Sequence, residues 1–341
     1  MTEAVRAGVV GVGHLGRLHA AKYAASGQLA GVFDIDRARA DEVARSHGCR
    51  AFESLGELLA GVDCASIATP TATHREIASA AIAAGADVLV EKPLAASLAE
   101  AKRIVAAAQA AGVLLHVGHL ERFNPAFADL PRIVAHPRFI ECHRLSPFAG
   151  RGIDTDVIFD VMIHDLDLIA FVVGRPLAGA EAIGVPVLSH HADIANARLR
   201  FEGGCIANVT ASRVSLKRER RLRIFQEDAY VAVDFDSRSL RIVRRKAGAG
   251  PHAAGSTGSP MEAIEVDDRT FADDADPLRA EIGAFVEAVV ARRSGRSRRG
   301  DDAGVTGGEA LVALEIAERV REAVAAEAAA NAPAPSETDA P

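Results

Sequence analysis

Short apolar runs alternate with amphipathic stretches over the first 118 residues. The apolar runs, which predict strands, are 4–10, 29–33, 49–52, 63–69, 87–90 and 113–117. Apolar residues recur at helical spacing in 37–47, 73–84 and 97–111. Strands that alternate with helices form a parallel sheet, because right-handed crossovers return each strand to the same sheet. The pattern predicts an α/β domain with a parallel sheet over residues 1–118.

After residue 118 the pattern changes to short runs in which apolar and polar residues alternate. These runs are 139–145, 178–188, 194–201, 205–212, 220–226, 229–235 and 239–244. A period of two with hairpin-like turns between the runs predicts antiparallel strands. Helix patterns cover 156–173, 277–293 and 308–326. We expect an α+β domain over 119–327 with a large open, mostly antiparallel sheet, whose last helices can pack on the first domain, and a disordered tail over 328–341.

The first predicted strand leads into the segment VVGVGHLG, which places Gly11, Gly13 and Gly16 in a GxGxxG pattern. Between a strand and a helix, this pattern lets backbone N–H groups approach a pyrophosphate. Asp34 follows the second strand, 18 residues after Gly16, where an acid accepts hydrogen bonds from ribose hydroxyls and repels the 2′-phosphate of NADP. The loop from Gly11 through His14 and Leu15 to Gly16, with Asp34, predicts NAD(H) in preference to NADP(H).

Lys92 directly follows a predicted buried strand, in the sequence Glu91-Lys92-Pro93. The carboxyl edge of a parallel sheet is where ligands bind, and a desolvated lysine there can polarise or deprotonate a hydroxyl. The Lys92–Pro93 bond also permits a cis geometry that would fix the direction of the lysine. The alternative is a solvated lysine at the start of a loop, but the position in the sheet favours a catalytic residue.

Asp160, His164 and Asp167 are spaced i, i+4 and i+7 in the helix pattern that ends before Gly174. At 100° per residue they fall within an arc of about 60° and share one face. An aspartate one turn before a histidine can orient the imidazole for general-base chemistry. The alternatives are a hydrated polar face and a metal site, since these residue types can bind a divalent ion. We favour catalysis by Asp160 and His164 and count all three residues as substrate-binding candidates.

Composition limits the function classes. Apolar residues make up 49% and charged residues 25%, which is typical of a soluble globular protein, and the net charge of −7 disfavours nucleic acid as a partner. The basic run 213–223 alternates with apolar positions and lacks aromatic residues, so it indicates a solvated strand face or a nearby phosphate-bearing substrate. The sequence lacks both a signal-peptide pattern and an apolar run of membrane-spanning length, which predicts a cytoplasmic protein without membrane contact.

Cysteines and histidines give no metal signature. The four cysteines are far apart and form no CxxC pair. His116 and His119, and the pair His190-His191, lack the spacing of an HExxH motif and have no accompanying cluster. We therefore expect structural roles for these histidines and no metal cofactor.

Together these motifs resemble the Gfo/Idh/MocA oxidoreductase family. The resemblance rests on Gly11 to Gly16 with His19, Ala68-Thr69-Pro70 with His74, Glu91-Lys92-Pro93, Arg122-Phe123-Asn124-Pro125, and Asp160 to Asp167. It implies a Rossmann domain, NAD(P)-dependent chemistry at a sugar carbon, and a homodimer or homotetramer formed through the second domain's sheet. It also implies proton transfer by Lys92 and His164, with Asp160 holding the substrate or orienting the histidine. By the same resemblance, the nicotinamide side is lined by Thr69, Pro70, His74 and Glu91.

The family pattern DxGxHxxD has glycine where this chain has Met162, which places a larger side chain beside the substrate helix. The variant DVMIHDLD resembles the branch that contains UDP-N-acetylglucosamine 3-dehydrogenases, which make a 3-keto sugar nucleotide for 3-amino lipid A precursors. Arg122, Arg144 and Arg151 are then candidate diphosphate ligands, with Asn124 also on the substrate side. The alternatives are a family dehydrogenase of another sugar, inositol or nucleotide sugar, and a non-enzymatic protein that senses dinucleotide.

Overall fold

The computed structural model describes residues 5–148, 155–246, 260–272, 275–295 and 304–331 of the 341-residue chain. These residues form two compact units. The first is drawn from residues 1–128 and 273–314, and the second from residues 129–272 and 315–341. The first unit therefore takes in residues 119–128 and a helix from near the carboxyl end of the chain. No described helix combines the length and the hydrophobicity that crossing a bilayer requires.

Six parallel strands form the sheet of the first unit. They are β1 (Ala7–Val10), β2 (Leu29–Phe33), β3 (Arg50–Ala51), β4 (Cys64–Ile67), β5 (Asp87–Glu91) and β6 (Leu115–Gly118). Their order is β3-β2-β1-β4-β5-β6, and every neighbouring pair is parallel. The direction of winding reverses between β1 and β4, which is where ligands bind in doubly wound sheets. The parallel sheet predicted from the alternating pattern and the Rossmann domain implied by the family resemblance are both confirmed.

Ten α-helices occur in the described chain. They are α1 (His14–Ala25), α2 (Arg37–His47), α3 (Leu55–Ala60), α4 (His74–Ala83), α5 (Leu98–Ala111), α6 (Pro125–Ala128), α7 (Leu130–Ile133), α8 (Ile163–Val173), α9 (Pro277–Arg293) and α10 (Gly307–Ala330). Ser54 caps the start of α3, because its hydroxyl accepts a hydrogen bond from the backbone N–H of Glu57. Since α10 extends to Ala330, residues 328–330 are helical rather than part of a disordered tail. The predicted tail from residue 332 onward lies outside the described residues.

Helix α9 completes the core of the first unit. Its residues Ile282, Phe285, Val286 and Val289 are buried in one cluster with β1 and α1. At the far end of α9, Arg292 donates two hydrogen bonds to Asp87 at the start of β5. A segment distant in sequence thus supplies apolar side chains and a cation to the Rossmann sheet.

Eight strands form the sheet of the second unit. They are β7 (Phe139–Leu145), β8 (Leu177–Val185), β9 (Ile194–Phe201), β10 (Ile206–Ser212), β11 (Glu219–Phe225), β12 (Ala229–Asp234), β13 (Ser239–Arg245) and β14 (Ile264–Thr270). Their order is β14-β13-β12-β11-β7-β10-β9-β8, in which β7 and β10 are parallel and the other neighbours antiparallel. Alternate residues of β9 from Ala195 to Phe201 are buried and the intervening ones are exposed. The predicted mostly antiparallel sheet is confirmed, and one of its faces is covered.

Two local features of the second unit differ from the sequence prediction. The edge strand β14 was not predicted, because its sequence IEVDDRT has few apolar residues and its side chains are at most half-buried. The helix over 156–173 was predicted as continuous, but Ile158–Met162 forms a π turn before α8 begins. In that turn the N–H of Ile163 donates to the carbonyl of Ile158, five residues back.

Candidate active site

The glycine loop connects β1 to α1 and leaves no room for side chains at two of its three glycines. A Cβ at Gly11, whose φ is +80°, would lie 2.6 Å from Cγ2 of Thr69. A Cβ at Gly16 would lie 1.8 Å from the carbonyl oxygen of Gly11. Gly13 faces open space and is the N-cap of α1 without a side-chain hydrogen bond. The loop therefore presents backbone at the start of α1, as a pyrophosphate requires, with His14 and Leu15 exposed in the first helical turn.

Asp34 lies at the carboxyl end of β2 and is bonded to the glycine loop. Its Oδ2 accepts a hydrogen bond from the N–H of Val12 at 2.8 Å, and its Oδ1 accepts one from the N–H of Asp36 at 2.8 Å. The guanidinium of Arg39 approaches Oδ2 at 3.5 Å. A carboxylate oxygen accepts more than one hydrogen bond, so these contacts leave capacity for ribose hydroxyls.

His74 joins the segments that follow β4 and β5. Its Nε2 lies 2.9 Å from the carbonyl oxygen of Thr69, and its Nδ1 lies 3.0 Å from that of Pro93. Burial lowers the pKa of His74, although the carbonyls of Thr69 and Pro93 act in the opposite direction. The Thr69 hydroxyl accepts a hydrogen bond from Thr73, while Pro70 is exposed. His74 thus ties the backbone that follows β4 to the backbone that follows β5.

Lys92 follows the last residue of β5 and is half-buried. The Lys92–Pro93 peptide is cis, as the sequence allowed. Glu91 is buried, and its Oε1 lies 2.9 Å from Nε2 of the buried His19 in α1. A Cβ at Gly118 in the neighbouring strand would lie 3.0 Å from Oε2 of Glu91, so a glycine in β6 makes room for this carboxylate. The structure brings Gly11, Thr69, Glu91 and Lys92 to one edge of the sheet.

Arg122 and Asn124 have partners within the first unit. Nη1 of Arg122 donates to Oε1 of Glu309 at 2.7 Å. The other Glu309 oxygen accepts from the backbone and hydroxyl of Thr306, which forms a cap at the start of α10. Oδ1 of Asn124 accepts from the N–H of Ala126 and Asn124 is buried. Asn124 thus stabilises local backbone, whereas Arg122 forms an ion pair with a residue distant in sequence.

The second unit carries the remaining candidates. Asp160 and His164 are half-buried and Asp167 is buried. Because Asp160 lies in the π turn, the spacing of 100° per residue assumed for all three does not hold before Ile163. Arg144, a predicted diphosphate ligand, is buried and donates from Nε and Nη2 to Oδ1 of Asp165 at 2.9 and 2.7 Å. Arg151 lies outside the described residues.

The two pairs of histidines for which the sequence predicts structural roles differ in their exposure to solvent. His116 and His119 are buried, whereas His190 and His191 are exposed. Across the described residues, no three histidine, cysteine or acidic side chains come together as metal ligands would.

The buried pair of His19 and Glu91 was not predicted. The signal that could have found it is a histidine three residues after Gly16, on the helix that the glycine loop starts.

The loop shaped for a pyrophosphate lies at the switch point of a doubly wound sheet, and a lysine follows the end of a nearby strand. This arrangement is typical of a dinucleotide-dependent oxidoreductase. That is the class of protein that this fold and site define.

The chain belongs to the Gfo/Idh/MocA oxidoreductase family. Residues 5–119 match the family's NAD-binding Rossmann domain, and residues 137–232 match its C-terminal domain. The resemblance inferred from the motifs is therefore confirmed.

Individual relatives agree with this membership. The chain is 44% identical to UDP-N-acetylglucosamine 3-dehydrogenase of Acidithiobacillus ferrooxidans over 290 residues, which are 85% of this chain and 90% of that enzyme. A solved structure of that enzyme superposes with a TM-score of 0.83 at 40% identity, covering 95% of this chain and 98% of the other. The scyllo-inositol 2-dehydrogenase of Bacillus subtilis is 30% identical over 63% of this chain and 69% of its own length.

Proposed function

We propose that this protein oxidises the C3 hydroxyl of UDP-N-acetylglucosamine to a ketone with NAD⁺ as the hydride acceptor. The observation that carries the proposal is the 44% identity to a UDP-N-acetylglucosamine 3-dehydrogenase over 90% of that enzyme. The inositol dehydrogenase from Bacillus subtilis matches over a shorter part of both chains. We therefore base the proposed substrate on the relative that aligns with the greater part of this chain.

The reaction breaks the C3–H and O–H bonds of the sugar and forms a C=O bond. NAD⁺, when bound, takes the hydride from C3. His164, assisted by Lys92, takes the hydroxyl proton, and Asp160 holds the sugar or orients the imidazole. Support for Lys92 comes from its place at the end of β5, beside the backbone that His74 fixes. Asp167 is buried one turn after His164 and completes the proposed substrate face.

We propose that Asp34 gives the preference for NAD(H) over NADP(H). Its carboxylate is held in place by the N–H groups of Val12 and Asp36, so it has little freedom to turn away from a ribose. A fixed negative charge repels a 2′-phosphate, while its lone pairs accept hydrogen bonds from the hydroxyls of NAD. Among the described contacts of this carboxylate, the nearest cation is Arg39, whose Nη1 lies 3.5 Å from Oδ2 of Asp34.

The proposed diphosphate contacts are Arg122 and Arg151. Arg122 donates to Glu309 through Nη1, and its planar guanidinium has the geometry that suits phosphate oxygens. Arg144 is left out of this set because two of its donors are engaged by the buried carboxylate of Asp165.

We further propose a cytoplasmic homodimer or homotetramer that uses the open face of the second unit's sheet. That face carries arginine–carboxylate pairs between strands, such as Arg223 with Glu141 and Arg241 with Asp268. It also exposes the ring of Phe225. Paired charges around an exposed aromatic residue suit a self-complementary interface.

The 3-keto product of the proposed reaction would be available to an aminotransferase that makes 3-amino lipid A precursors.

A substrate panel tests the proposed reaction. The purified protein is mixed with NAD⁺ or NADP⁺ and with UDP-N-acetylglucosamine, UDP-glucose, N-acetylglucosamine, myo-inositol or scyllo-inositol, and the absorbance of the reduced cofactor is followed. We expect turnover with UDP-N-acetylglucosamine and a 3-keto product by NMR. Turnover with an inositol or a free sugar alone would overturn the proposed substrate. Cofactor binding without turnover of any compound would favour the non-enzymatic alternative.

A further inference from the structure

The segment over residues 155–165 carries Asp160 and His164 but is not a regular helix. It contains the π turn Ile158–Met162, whose hydrogen bonds span five residues instead of four. Single π turns inside helices are uncommon and occur often at functional sites. Because the π turn interrupts the regular four-residue hydrogen bonds of the helix, contacts from other elements can help to fix the orientation of the segment. Two buried arginines supply such contacts, one at each end.

Arg213 contacts the start of the segment. It follows the last residue of β10 and is buried, with 4% of its surface exposed. Its Nη1 donates to the carbonyl oxygen of Thr155 at 2.8 Å, and its Nε donates to Oδ1 of Asp193 at 2.8 Å. Asp193 in turn accepts hydrogen bonds from the backbone N–H groups of residues 187–189. The backbone before the π turn is therefore tied to a buried network.

Arg144 contacts the end of the segment. It is the penultimate residue of β7, and its two hydrogen bonds to Asp165 join that strand to the residue after His164. Arg144 and Asp165 are 4% and 1% exposed, so this ion pair is shielded from water. A buried charge is costly without its partner, which makes the pairing and its geometry strongly preferred.

Arg144 lies in β7, and Arg213 directly follows β10, the parallel neighbour of β7. Strands β7 and β10 are paired in parallel, with Arg144 opposite Ala211, two residues before Arg213. The rigid sheet thereby sets the spacing between the two contacts. We propose that Arg144 and Arg213 are positioning residues that hold the two ends of the segment 155–165 and so set the orientation of Asp160 and His164. The proposal deepens the proposed function and rests on it for the part of the test that uses turnover.

Lysine is the informative replacement at both positions. It keeps the positive charge but replaces the planar, multiply donating guanidinium by a single ammonium group. At position 144, a lysine cannot donate to Asp165 from two nitrogens that lie in one plane. At position 213, a lysine cannot join Thr155 to Asp193 with the geometry of the guanidinium. A role that depended only on net charge would survive this change, whereas a positioning role would not.

The first experiment measures turnover of UDP-N-acetylglucosamine with NAD⁺ by Arg144→Lys and Arg213→Lys. We expect kcat/KM to fall about 10- to 100-fold, because a displacement of about 1 Å at a reacting group costs that much. The Kd of NAD⁺ should stay within twofold. Arg218→Lys is the matched control, because Arg218 forms an exposed ion pair with Asp236 and should keep wild-type activity. Wild-type kcat/KM in both buried variants would overturn the proposal.

A second measurement separates positioning from loss of folded protein. In the background of His164→Ala, Arg144→Lys should lower the residual rate less than twofold, because the residue through which Arg144 acts is gone. A loss of folded protein would lower the rate equally in both backgrounds, and that result would refute the role. If Arg144→Lys does not fold, Asp165→Asn replaces it in the same cycle.

A third measurement does not need the substrate. In protein labelled with ¹³C-histidine, the Cε1–H signal of His164 is assigned by its loss in His164→Ala and is then titrated with pH. We expect its chemical shift or its apparent pKa to differ from wild type in Arg144→Lys and to be unchanged in Arg218→Lys. An unchanged His164 signal in Arg144→Lys would refute positioning. A shifted signal in a protein that does not turn over UDP-N-acetylglucosamine would support positioning and reject only the proposed substrate.

Discussion

Nε2 of His19 lies 2.9 Å from Oε1 of Glu91, and both side chains are buried. His19 belongs to the helix that the glycine loop starts, and Glu91 immediately precedes Lys92. The contact therefore joins the helix that follows the dinucleotide-binding loop to the residue that precedes the proposed catalytic lysine.

Replacing His19 with alanine should affect both stability and rate. A buried carboxylate that loses its hydrogen-bond partner costs about 1–3 kcal/mol, so the free energy of unfolding in urea should fall by that amount. The rate should fall as well, because Glu91 then has another orientation next to Lys92. The control is His136→Ala, which removes an exposed histidine. An unchanged unfolding midpoint in His19→Ala would show that the contact contributes nothing to stability.

Gly16→Ala should abolish NAD⁺ binding. The added methyl group would lie 1.8 Å from the carbonyl of Gly11, which is backbone and cannot move without opening the loop. Calorimetry with NAD⁺ tests this. Gly56→Ala adds a methyl group to helix α3 with no atom within 4 Å and should bind NAD⁺ as the wild type does. Normal affinity in Gly16→Ala would contradict the assigned loop.

Lys92→Ala and His164→Ala should each lower kcat by about 10²- to 10⁴-fold, the usual contribution of a general acid or base. NAD⁺ binding should survive, since neither substitution touches the glycine loop. Steady-state kinetics and calorimetry measure the two quantities separately. A rate near that of the wild type for either variant would remove that residue from the proposed proton transfer.

Asp34→Asn should narrow the preference for NAD⁺ over NADP⁺, because it removes the charge that repels a 2′-phosphate. Asparagine keeps an oxygen that can accept from the N–H of Val12, so the loop should retain its shape. The ratio of kcat/KM for the two cofactors is the measurement. An unchanged ratio would mean that another residue governs the choice.

Asp193 should give the second unit a pH-dependent stability. Burial alone would raise the pKa of Asp193, but the backbone N–H of Leu188, Arg213 and the N–H groups of Ser189 and Val187 lower it far below its ordinary value. A carboxylate with a lowered folded-state pKa stabilises the protein above its unfolded pKa of about 3.9, and this contribution is lost as the pH falls further.

Asp193→Asn should therefore lower the melting temperature at pH 7, and the difference from wild type should shrink below about pH 4. Thermal unfolding at a series of pH values measures it. Asp236→Asn, an exposed partner of Arg218, serves as the control. A difference that stays constant down to pH 3 would contradict the assigned role of the charge.

The sheet of the first unit could be predicted because each of its elements depends on residues that are close together in the sequence. Each strand is an apolar run, each crossover is an amphipathic helix, and Ser54 and Ser97 cap helices through residues three positions away. The glycine loop and Lys92 could be predicted because their positions follow from the ends of those strands.

The differences in the second unit come from contacts between residues distant in sequence. Arg144 looked like a phosphate ligand because its burial depends on Asp165, 21 residues further along the chain. The π turn was not predicted because a regular helix fits the same apolar pattern. Strand β14 was not predicted because charge pairs such as Arg241 with Asp268 take the place of apolar residues at a sheet edge.

The core of the dinucleotide-binding unit also has a consequence for synthesis of the chain. Phe285 and Val289 of α9 fill the same cluster as Val9 and Tyr23 near the amino terminus. A ribosome must therefore complete most of the protein before the first unit can bury its apolar surface. We expect nascent chains that end at residue 128 to expose that surface and to depend on chaperones until α9 has emerged.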